Sequence, residues 1–415
     1  MRPEIHIEAP ASLRLPSRAL RLRGWCFLPS VPFTGVRLLA AGLECYGRAA
    51  LPRPDVRAAF PAAPTDGNGF EVWTILPPGR HQARLEFRDT SGQWHLAQEL
   101  EIRVPRRWWP IWLTRRPHRD LLDFQFAVRP THAPRPLAPE RFPPARSAPA
   151  ARPAACIVTP SYNQAAFLPE TMDSVLGQTG VRVDYHVQDG ASTDGSVEVI
   201  RQRAGRLASW ESAPDRGQAD AIARAFARTR GQPEDFMGWL NSDDTLLPGA
   251  LEFVADYFAR HPDVDVVYGQ RILIDERSRE VGRWFLPPHD DEMLRLNDFV
   301  PQEALFWRRR IWDRVGGINP EFQFALDWDL LLRFQAAGAR IVRLPYFLAC
   351  FRVHPDQKTS ARMESVGHAE IDRLRLQALG RSLTHEEIES HPRLLAYLRR
   401  SAWQAALWRL GLRSR

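Results

Sequence analysis

The feature that most constrains this chain is an apolar run that stops abruptly at a polar, acidic cluster. The mostly apolar residues 236–240 are followed directly by Asn241, Ser242, Asp243 and Asp244. This pattern predicts a buried strand with a polar tip, and ligands of open α/β sheets bind at such strand ends. Because side chains alternate along a strand, we expect Asn241 and Asp243 on one face and Ser242 and Asp244 on the other.

The spacing at this tip suits a divalent metal ion. Two oxygen ligands at alternate positions can hold a hard cation such as Mg²⁺ or Mn²⁺, which in turn can hold a diphosphate. The alternative is that these residues cap the next helix, because Asp, Ser and Asn are frequent in that role and residues 248–254 have a helical pattern. The tip alone does not decide between metal binding and helix capping.

Composition limits the classes of protein to consider. A length of 415 residues suggests two or three domains, and 44% hydrophobic with 25% charged residues is ordinary for a globular protein. The chain carries a net charge of +7 without a nucleic-acid-binding motif, so we expect no nucleic-acid partner and favour attraction to anionic lipid. Lys358 is the only lysine, which either marks a site that needs an ammonium group or reflects a bias towards arginine.

Cysteine usage and hydropathy favour a cytoplasmic protein. The four cysteines show no paired metal-binding spacing, which is typical of a reducing environment. The sequence shows neither a signal-peptide apolar region nor an apolar run long enough to span a membrane. Two basic, aromatic stretches at 106–116 and 394–410 could lie on the inner face of the cytoplasmic membrane, or could simply pack on the protein.

The chain divides into four regions by pattern. Residues 1–105 have short alternating strands and Gly/Pro turns, which predicts a small all-β sandwich as an accessory domain. Residues 106–152 are first Trp/Arg-rich and then Pro-rich, which predicts a linker. Residues 153–360 should form an α/β domain and residues 361–415 a helical tail.

Strands and helices alternate from residue 154 onwards. The apolar patterns predict strands at 156–159, 183–187, 208–211, 236–240 and 264–268, and helices at 163–178, 196–203 and 217–230. Such alternation favours a largely parallel sheet with helices on both faces. The order becomes mixed after residue 268, as is common at the edge of these sheets.

The first two of these strands end in polar loops, where a nucleotide would dock. The first loop contains Pro160, Ser161, Tyr162 and Asn163, and the second begins at Asp189. The Asp189 carboxylate can accept a hydrogen bond from a base N–H, and the glycines that follow it leave room for a ribose or phosphate. An Asx turn is the alternative role for Asp189.

The third strand leads to another charged loop. It contains Asp215 and Arg216, and Asp220 follows at the start of a helix. Arg216 could contact a phosphate, or it could pair with a neighbouring acid. We place all three residues in the predicted nucleotide site.

As an ordered set, these motifs resemble family 2 glycosyltransferases of the GT-A type. The set comprises TPSYNQ from residue 159, QDGASTDGS from 188, APDRGQADAI from 213 and WLNSDDTLLPGAL from 239. Further matches follow at 301–307, 326–333 and 351–359, so the resemblance covers about residues 154–360. It implies a Rossmann-like mixed sheet flanked by helices, and the N-terminal region is similar to small β-domains appended to bacterial glycosyltransferases.

The resemblance implies a role for each motif. The loops after the first two strands would contact the nucleoside, with Asp189 on the base. Asp243, with Asn241 or Asp244, occupies the place of the metal-binding acidic motif, and Ser242 lies beside them near the diphosphate. Many relatives have Asp where this chain has Asn241, whose amide oxygen carries no charge, so the metal affinity should be lower.

The downstream matches supply further candidates. Asp327 matches the position of the catalytic base, although from the residues alone it could be the N-cap of a helix over 328–337. His354 matches a C-terminal histidine that approaches the metal or diphosphate in some GT-A enzymes. Arg352 and Lys358 could neutralise the diphosphate or anchor a closing loop.

These residues fit an inverting sugar transfer, which needs a base for the acceptor hydroxyl and charge stabilisation for a leaving diphosphate. We expect a metal-dependent enzyme that moves a sugar from a nucleotide-sugar, with UDP favoured, to a glycan or lipid-linked glycan of the bacterial cell envelope. The alternatives are a nucleotidyltransferase, for which residues 160–163 lack a Gly-rich phosphate loop, and a non-catalytic glycan-binding protein. For an enzyme, Asp189, Asp243 and Asp327 should open onto one pocket.

Overall fold

The computed structural model of the chain describes residues 3–15, 19–29, 31–105, 130–138, 140, 142–143, 152–355 and 366–409. The chain forms two compact units. The first contains Met1–Leu137, Leu273–Gly282 and Val353–Arg362, and the second contains Ala138–Ile272, Arg283–Arg352 and Met363–Arg415. The region boundaries predicted at 105, 152 and 360 stay predictions, and the stretch 106–116 lies outside the described residues.

The first unit contains an all-antiparallel β-domain, as predicted. Its strands are β1 Glu4–Ala9, β2 Ala19–Phe27, β3 Phe33–Ala40, β4 Leu43–Leu51, β5 Gly69–Ile75, β6 Gly79–Asp89 and β7 Trp94–Val104, with one short helix, α1, at Pro54–Ala59. The strands form a seven-stranded sheet in the order β1-β2-β5-β4-β3-β6-β7. Alternate residues such as Leu20 and Leu22 are buried, so one face of the sheet covers an apolar core.

A later part of the chain completes this unit. The backbone N–H of Thr131 donates to the carbonyl oxygen of Val281 at 2.7 Å. Arg135 and Glu280 exchange two backbone hydrogen bonds of 3.0 Å and 2.8 Å, and the buried Glu280 carboxylate also pairs with the Arg135 guanidinium. The unit that contains Met1–Leu137 therefore also includes Leu273–Gly282, which come much later in the sequence.

The second half of the chain is built on a mixed, nine-stranded sheet. Its strands are β8 Ala155–Ser161, β9 Val183–Asp189, β10 Ser209–Ser212, β11 Phe236–Trp239, β12 Thr245–Leu246, β13 Val266–Ile274, β14 Glu280–Trp284, β15 Leu305–Arg308 and β16 Ile341–Arg352. The order is β10-β9-β8-β11-β15-β13-β16-β12, with β14 paired to β13. Strands β8 to β11 run parallel and β15 pairs antiparallel with β11, which confirms the predicted mixed α/β fold.

Helices cover this sheet. They are α2 Leu168–Leu176, α3 Ser196–Arg203, α4 Gln218–Ala227, α5 Ala250–Arg260, α6 Asp291–Leu296, α7 Arg309–Val315, α8 Leu326–Ala336, α9 His368–Leu379, α10 His385–Glu389 and α11 Pro392–Arg409. Their apolar faces supply core residues such as Met172, Val254 and Phe258, which have no exposed surface. Burial of a side chain of this kind stabilises the fold by about 1.5–3 kcal/mol.

The C-terminal helices pack on the second unit. The ring of Tyr397 in α11 lies 4.8 Å from that of Phe299, and the guanidinium of Arg393 lies 2.9 Å from the Asp290 carboxylate. Leu394 is 1% exposed whereas Trp403 is 54% exposed, so the tail packs on the protein at Leu394, and contact of the tail with a membrane stays a prediction. Among the helices of the described ranges, none combines the length and the apolar character needed to cross a membrane.

Candidate active site

Strand β11 carries the polar tip to the carboxyl edge of the parallel strands. It lies between β8 and β15, and its four residues are buried. Beyond it, Ser242 and Asp244 are buried whereas Asn241 and Asp243 are partly exposed, which is the alternation expected from the sequence. Helix α5 begins after Gly249 without a side-chain cap, so the tip carboxylates do not cap it.

Two buried side chains hold this tip in place. The hydroxyl of Thr171 lies 2.9 Å and 2.8 Å from the carbonyl oxygens of Ser242 and Asp244. Arg352 donates from Nε to the carbonyl oxygen of Asp243 at 2.8 Å, and from its backbone N–H to the Asp244 carboxylate at 3.0 Å. Because Arg352 has no exposed surface and Asp244 only 1%, the geometry favours a bracing role for both over the predicted contact with a diphosphate.

The amide of Asn241 links the tip to two other elements. Its Oδ1 accepts from the Gln218 side chain at 2.7 Å, and its Nδ2 donates to Gln302 Oε1 at 3.0 Å. Gln302 in turn donates to the carbonyl oxygen of Trp239 at 2.7 Å. The amide oxygen that was a candidate metal ligand is therefore engaged by Gln218 from the first residue of α4.

A group of carboxylates extends from the tip to helix α8. Burial raises the pKa of Asp244, and the charges of Asp243 and Glu303 raise it further. Burial also raises the pKa of Asp298, and the next largest cause is the charge of Asp327. Because such effects weaken with distance, the five carboxyl groups lie in one region of the second unit.

Arg271 in β13 compensates part of this negative charge. Its guanidinium donates to the Glu303 carboxylate at 2.6 Å and 2.7 Å, and both side chains are buried. The guanidinium carbon also lies 4.5 Å from the ring centroid of Trp284, a cation–π contact. Arg271 lowers the pKa of Asp244 and Asp298, against the larger effect of burial.

Asp327 occupies the first turn of α8. The helix begins at Leu326 with Ala325 as its N-cap, so the alternative that Asp327 is the N-cap is wrong. Its side chain is partly exposed, and Oδ1 accepts the backbone N–H of Trp328 at 3.0 Å. The indole N–H of the buried Trp328 donates to the carbonyl oxygen of Leu294 at 2.8 Å, which fixes this turn against α6.

The loops after β8 and β9 are bonded to each other. Ser161 opposes Asp189 in the parallel pair, and the N–H of Gly190 donates to the Ser161 carbonyl oxygen at 2.9 Å. Asn163 has a φ of 51°, in the left-handed region, and its N–H donates to the Ser192 hydroxyl at 2.8 Å. These bonds fix the two loops as one surface.

Tyr162 and Asp215, two candidate nucleotide contacts, lie on either side of the Gly190 backbone in this surface. Pro160 is buried in β8, whereas Tyr162 is 64% exposed. A Cβ atom built on Gly190 would lie 2.8 Å from Asp215 Oδ2 and 3.2 Å from Tyr162 Cδ2. The backbone at Gly190 thus lies between an exposed aromatic ring and a carboxylate, and a side chain at this position would have to displace the Asp215 carboxylate.

Asp189 itself is fully buried. Its carboxylate accepts from the Ser192 hydroxyl at 2.5 Å, from the Ser192 N–H at 2.9 Å and from the Ser212 hydroxyl at 2.7 Å. The expectation that Asp189 opens onto one pocket with Asp243 and Asp327 is therefore wrong, and the bonds favour the turn-forming alternative. The requirement that all three carboxylates be open was too strict for an enzyme, because a buried Asp189 can still order a loop that contacts a nucleotide. A cavity of about 590 Å³ adjoins this loop, with Ser192 and Ser212 in its wall.

Arg216 and Asp220 are paired. The backbone N–H and the guanidinium of Arg216 both lie 3.1 Å from the Asp220 carboxylate, and Arg224 lies 2.7 Å from it. The hydrogen bond from Arg216 is the main reason that the pKa of Asp220 is lowered. The Arg216 side chain is 80% exposed and can reach an anion, whereas the buried Asp220 mainly orders the loop.

His354 and Lys358 are the remaining predicted metal and diphosphate ligands. His354 is 2% exposed and belongs to the first unit, whereas the tip belongs to the second, and Lys358 lies outside the described residues. Within the described ranges, no group of three or more His, Cys, Asp or Glu side chains is placed to hold a metal ion. Asp243 remains as a partly exposed carboxylate with the right chemistry.

Several residues of this region were not predicted. Gln302 and Glu303 lie within a matched motif, and that motif was the signal that could have found them. Arg271 lies in a strand whose nine residues are all buried, and a buried charge requires a partner. Asp298 follows α6 in a segment with no distinctive pattern, so nothing in the sequence marks it.

Part of the chain is similar to known proteins. Residues 156–317 match the family model described as "Glycosyl transferase family 2". An "O-antigen biosynthesis protein RfbC" of Myxococcus xanthus is 31% identical over 195 residues, which is 46% of this chain and 15% of that protein. A "PGL/p-HBAD biosynthesis glycosyltransferase" of Mycobacterium tuberculosis (strain ATCC 25177 / H37Ra) is 28% identical over 197 residues, covering 46% of this chain and 74% of that protein.

Among solved structures, a complex of S. aureus TarS 1-349 with UDP-GlcNAc is similar at a TM-score of 0.45 and 16% identity, covering 57% of this chain and 69% of that one. Of the relatives compared by sequence, the Myxococcus xanthus protein is matched over only 15% of its own length. The matched residues include β8, β9 and the tip after β11, whereas Asp327 lies ten residues beyond the match.

Proposed function

We propose that the chain is an inverting glycosyltransferase that uses a nucleotide-sugar donor, because residues 156–317 match the family model described as "Glycosyl transferase family 2". One observation carries this proposal. The Asn241 amide at the tip donates to Gln302 at 3.0 Å, and the adjacent Glu303 raises the pKa of both Asp244 and Asp298. Because Asp327 also raises the pKa of Asp298, the acidic tip and the carboxylate of α8 belong to one charged region. Inverting transfer needs a base for the acceptor hydroxyl and charge stabilisation for the leaving diphosphate, and the two must lie side by side.

In the proposed reaction, Asp327 is the general base. Its carboxylate takes the proton of an acceptor hydroxyl as the hydroxyl oxygen bonds to the anomeric carbon of the donor sugar. The bond from that carbon to the diphosphate breaks, and the nucleoside diphosphate leaves with the electron pair. Partial exposure of Asp327 permits contact with the acceptor, and the fixed position of Trp328 orients the first turn.

The donor nucleotide binds at the loops after β8 and β9 in this proposal. The Tyr162 ring and the Asp215 carboxylate flank the backbone of Gly190, and the exposed Arg216 can pair with a phosphate. Asp189 acts through the loop that it holds with Ser192. A uridine nucleotide is the favoured donor.

A divalent ion, Mg²⁺ or Mn²⁺, fits this arrangement when it is shared with the donor. Such ions bind through one or two carboxylates together with substrate phosphates, and Asp243 offers a partly exposed carboxylate. The ion would stabilise negative charge on the leaving diphosphate. Asn241 contributes less, since its amide oxygen already accepts from Gln218.

The proposed acceptor is a hydroxyl of a cell-surface glycan or lipid-linked glycan in a bacterial envelope. Two relatives, one named for O-antigen biosynthesis and one for PGL/p-HBAD biosynthesis, support this class of acceptor. A net charge of +7 suits work beside an anionic surface, so we place the protein in the cytoplasm, peripheral to the inner face of the membrane.

Donor binding and the base can be tested separately. A panel of nucleotide-sugars is screened by thermal shift with and without Mn²⁺, because a donor at about 100 times its Kd adds about 2.7 kcal/mol to stability. Asp327→Asn should then lower kcat by roughly 10²–10⁴-fold and leave donor affinity unchanged. Asp329→Asn is the matched control, since this carboxylate sits in the same turn but pairs with Arg333 at 2.7 Å.

The outcomes separate the alternatives. A transferase releases a nucleoside diphosphate and inverts the anomeric centre, whereas a nucleotidyltransferase releases pyrophosphate. A glycan-binding protein keeps its full affinity in Asp327→Asn and turns over no donor in the wild type. Unchanged kcat in Asp327→Asn, with kcat lost in Asp329→Asn, would place the base elsewhere.

A further inference from the structure

A carboxylate from the C-terminal region holds the start of helix α8. Glu370, in α9, accepts three backbone N–H groups: from Gln323 at 2.8 Å, from Phe324 at 2.8 Å and from Ala325 at 2.9 Å. These residues lead directly into the turn that carries Asp327. Glu370 lies outside the family match, which ends at residue 317.

The first N–H groups of a helix have no partners within the helix. At helix α8 the N-cap residue, Ala325, has no polar side chain, and within the first turn Asp327 Oδ1 accepts the N–H of Trp328. Glu370, from a distant part of the chain, accepts the N–H of Ala325 and those of the two residues before it, and its negative charge suits the positive end of the helix dipole. Three bonds to one ionised carboxylate define the direction in which α8 begins.

Helix α9 is itself fixed to the neighbouring element of the site. Arg375 is 5% exposed and donates from Nε to the carbonyl oxygen of Leu296, the last residue of α6, at 3.0 Å. Asp298 follows two residues later. One helix therefore holds both segments whose carboxylates interact, with Glu370 on the Asp327 side and Arg375 on the Asp298 side.

We propose that Glu370 is a positioning residue for Asp327, and that helix α9 is in this way part of the catalytic apparatus. The inference rests on the proposed role of Asp327 as the base. Glu370 does not touch the substrate in this account. It fixes the first turn of α8, and a displacement of about 1 Å in a catalytic group can cost on the order of 100-fold in rate.

The test compares Glu370→Gln with Glu387→Gln. Glu387 is a matched control, since it also accepts a backbone N–H, from Thr384 at 2.8 Å, in a capping box on the same C-terminal region. Hydrogen exchange of the amides of residues 323–325, donor affinity and kcat are measured for both variants at a temperature well below unfolding. A role limited to stability changes the unfolding temperature but leaves donor affinity and kcat of the folded enzyme as they were.

For Glu370→Gln we expect roughly tenfold faster exchange at residues 323–325, about tenfold or more loss of kcat and unchanged donor affinity. Glu387→Gln should show none of these effects. Unchanged exchange overturns the inference even if the protein proves to have no transferase activity, and so does faster exchange with wild-type kcat. A wild type that turns over no donor refutes the proposed function instead, while the exchange experiment still decides whether Glu370 holds α8.

Discussion

Removal of the Arg271 guanidinium tests the electrostatic description of the site. The buried pair between Arg271 and Glu303 has two hydrogen bonds, of 2.6 Å and 2.7 Å. Arg271→Met deletes the charge and keeps an unbranched side chain against the Trp284 ring. The Glu303 carboxylate then stays buried without its main counter-charge, beside the Asp244 and Asp298 carboxyl groups on which it acts.

The expected cost follows from this burial. Loss of one partner from a buried ion pair destabilises a protein by about 3–5 kcal/mol, whereas an exposed pair contributes about 0–1 kcal/mol. For a unit of this size, about 3–5 kcal/mol corresponds to a fall in Tm of roughly 6–20 °C. The double variant Arg271→Met/Glu303→Met leaves no charge behind, so it should recover most of the loss.

The cost should also depend on pH. Burial raises the pKa of Asp244 and of Asp298, and Arg271 acts against this rise. A carboxyl group with a raised pKa favours the folded state below its ordinary value of about 4, and that stability is lost as the pH rises through the folded pKa. Without Arg271 both pKa values rise further, so Arg271→Met should be more harmful at pH 8 than at pH 5.

Calorimetry of the wild type, the single variant and the double variant at pH 5 and pH 8 measures these effects. The reasoning is refuted if Arg271→Met unfolds within about 1 kcal/mol of the wild type at pH 8, since a buried pair costs more than that to break. It is also refuted if the double variant is no more stable than the single one.

Two further predictions concern other parts of the second unit. Gly190→Ala should weaken nucleotide binding by roughly tenfold, because its Cβ would lie 2.8 Å from Asp215 Oδ2, whereas Gly205→Ala, with no atom within 4 Å of its Cβ, should bind normally in calorimetric titrations. Burial lowers the pKa of His289, so the stability that it confers should be full above about pH 6.5 and decrease as the pH falls through the folded pKa. Between pH 8 and acidic pH, His289→Gln should therefore lose less of its unfolding free energy than the wild type loses. An identical pH dependence of stability in the two proteins would contradict this.

Local patterns predicted the elements that depend on local sequence. The helix predicted at 196–203 and the strand predicted at 236–240 agree with α3 and with β11 to within one residue. The helix predicted from residue 163 begins only at Leu168, because Asn163 adopts a positive φ and bonds to Ser192 about thirty residues away. No pattern in a single segment reports such a contact.

The same distinction holds for the candidate site. Exposure of Asn241 and Asp243 was predicted from strand alternation, but β11 ends at Trp239 and residues 241–244 form a turn, in which the Asp244 N–H donates to the Asn241 carbonyl oxygen at 3.2 Å. The burial of Asp189 was not predicted, because its second partner, Ser212, comes from the end of another strand. A charged residue in a loop is open or enclosed according to what the rest of the fold brings to it, and the sequence around the residue does not contain that information.

The first unit includes Leu273–Gly282, a segment separated from Leu137 by more than a hundred residues of the second unit. During synthesis at about 5–20 residues per second, the nascent β-domain must wait on the order of ten seconds for this piece to leave the ribosome. Domains usually fold in the order in which they are synthesised. Here the first unit begins earlier in the chain, but its last segments are synthesised only after part of the second unit. A ribosome stalled before residue 273 therefore leaves the backbone groups of Thr131 and Arg135 without the partners on which they close.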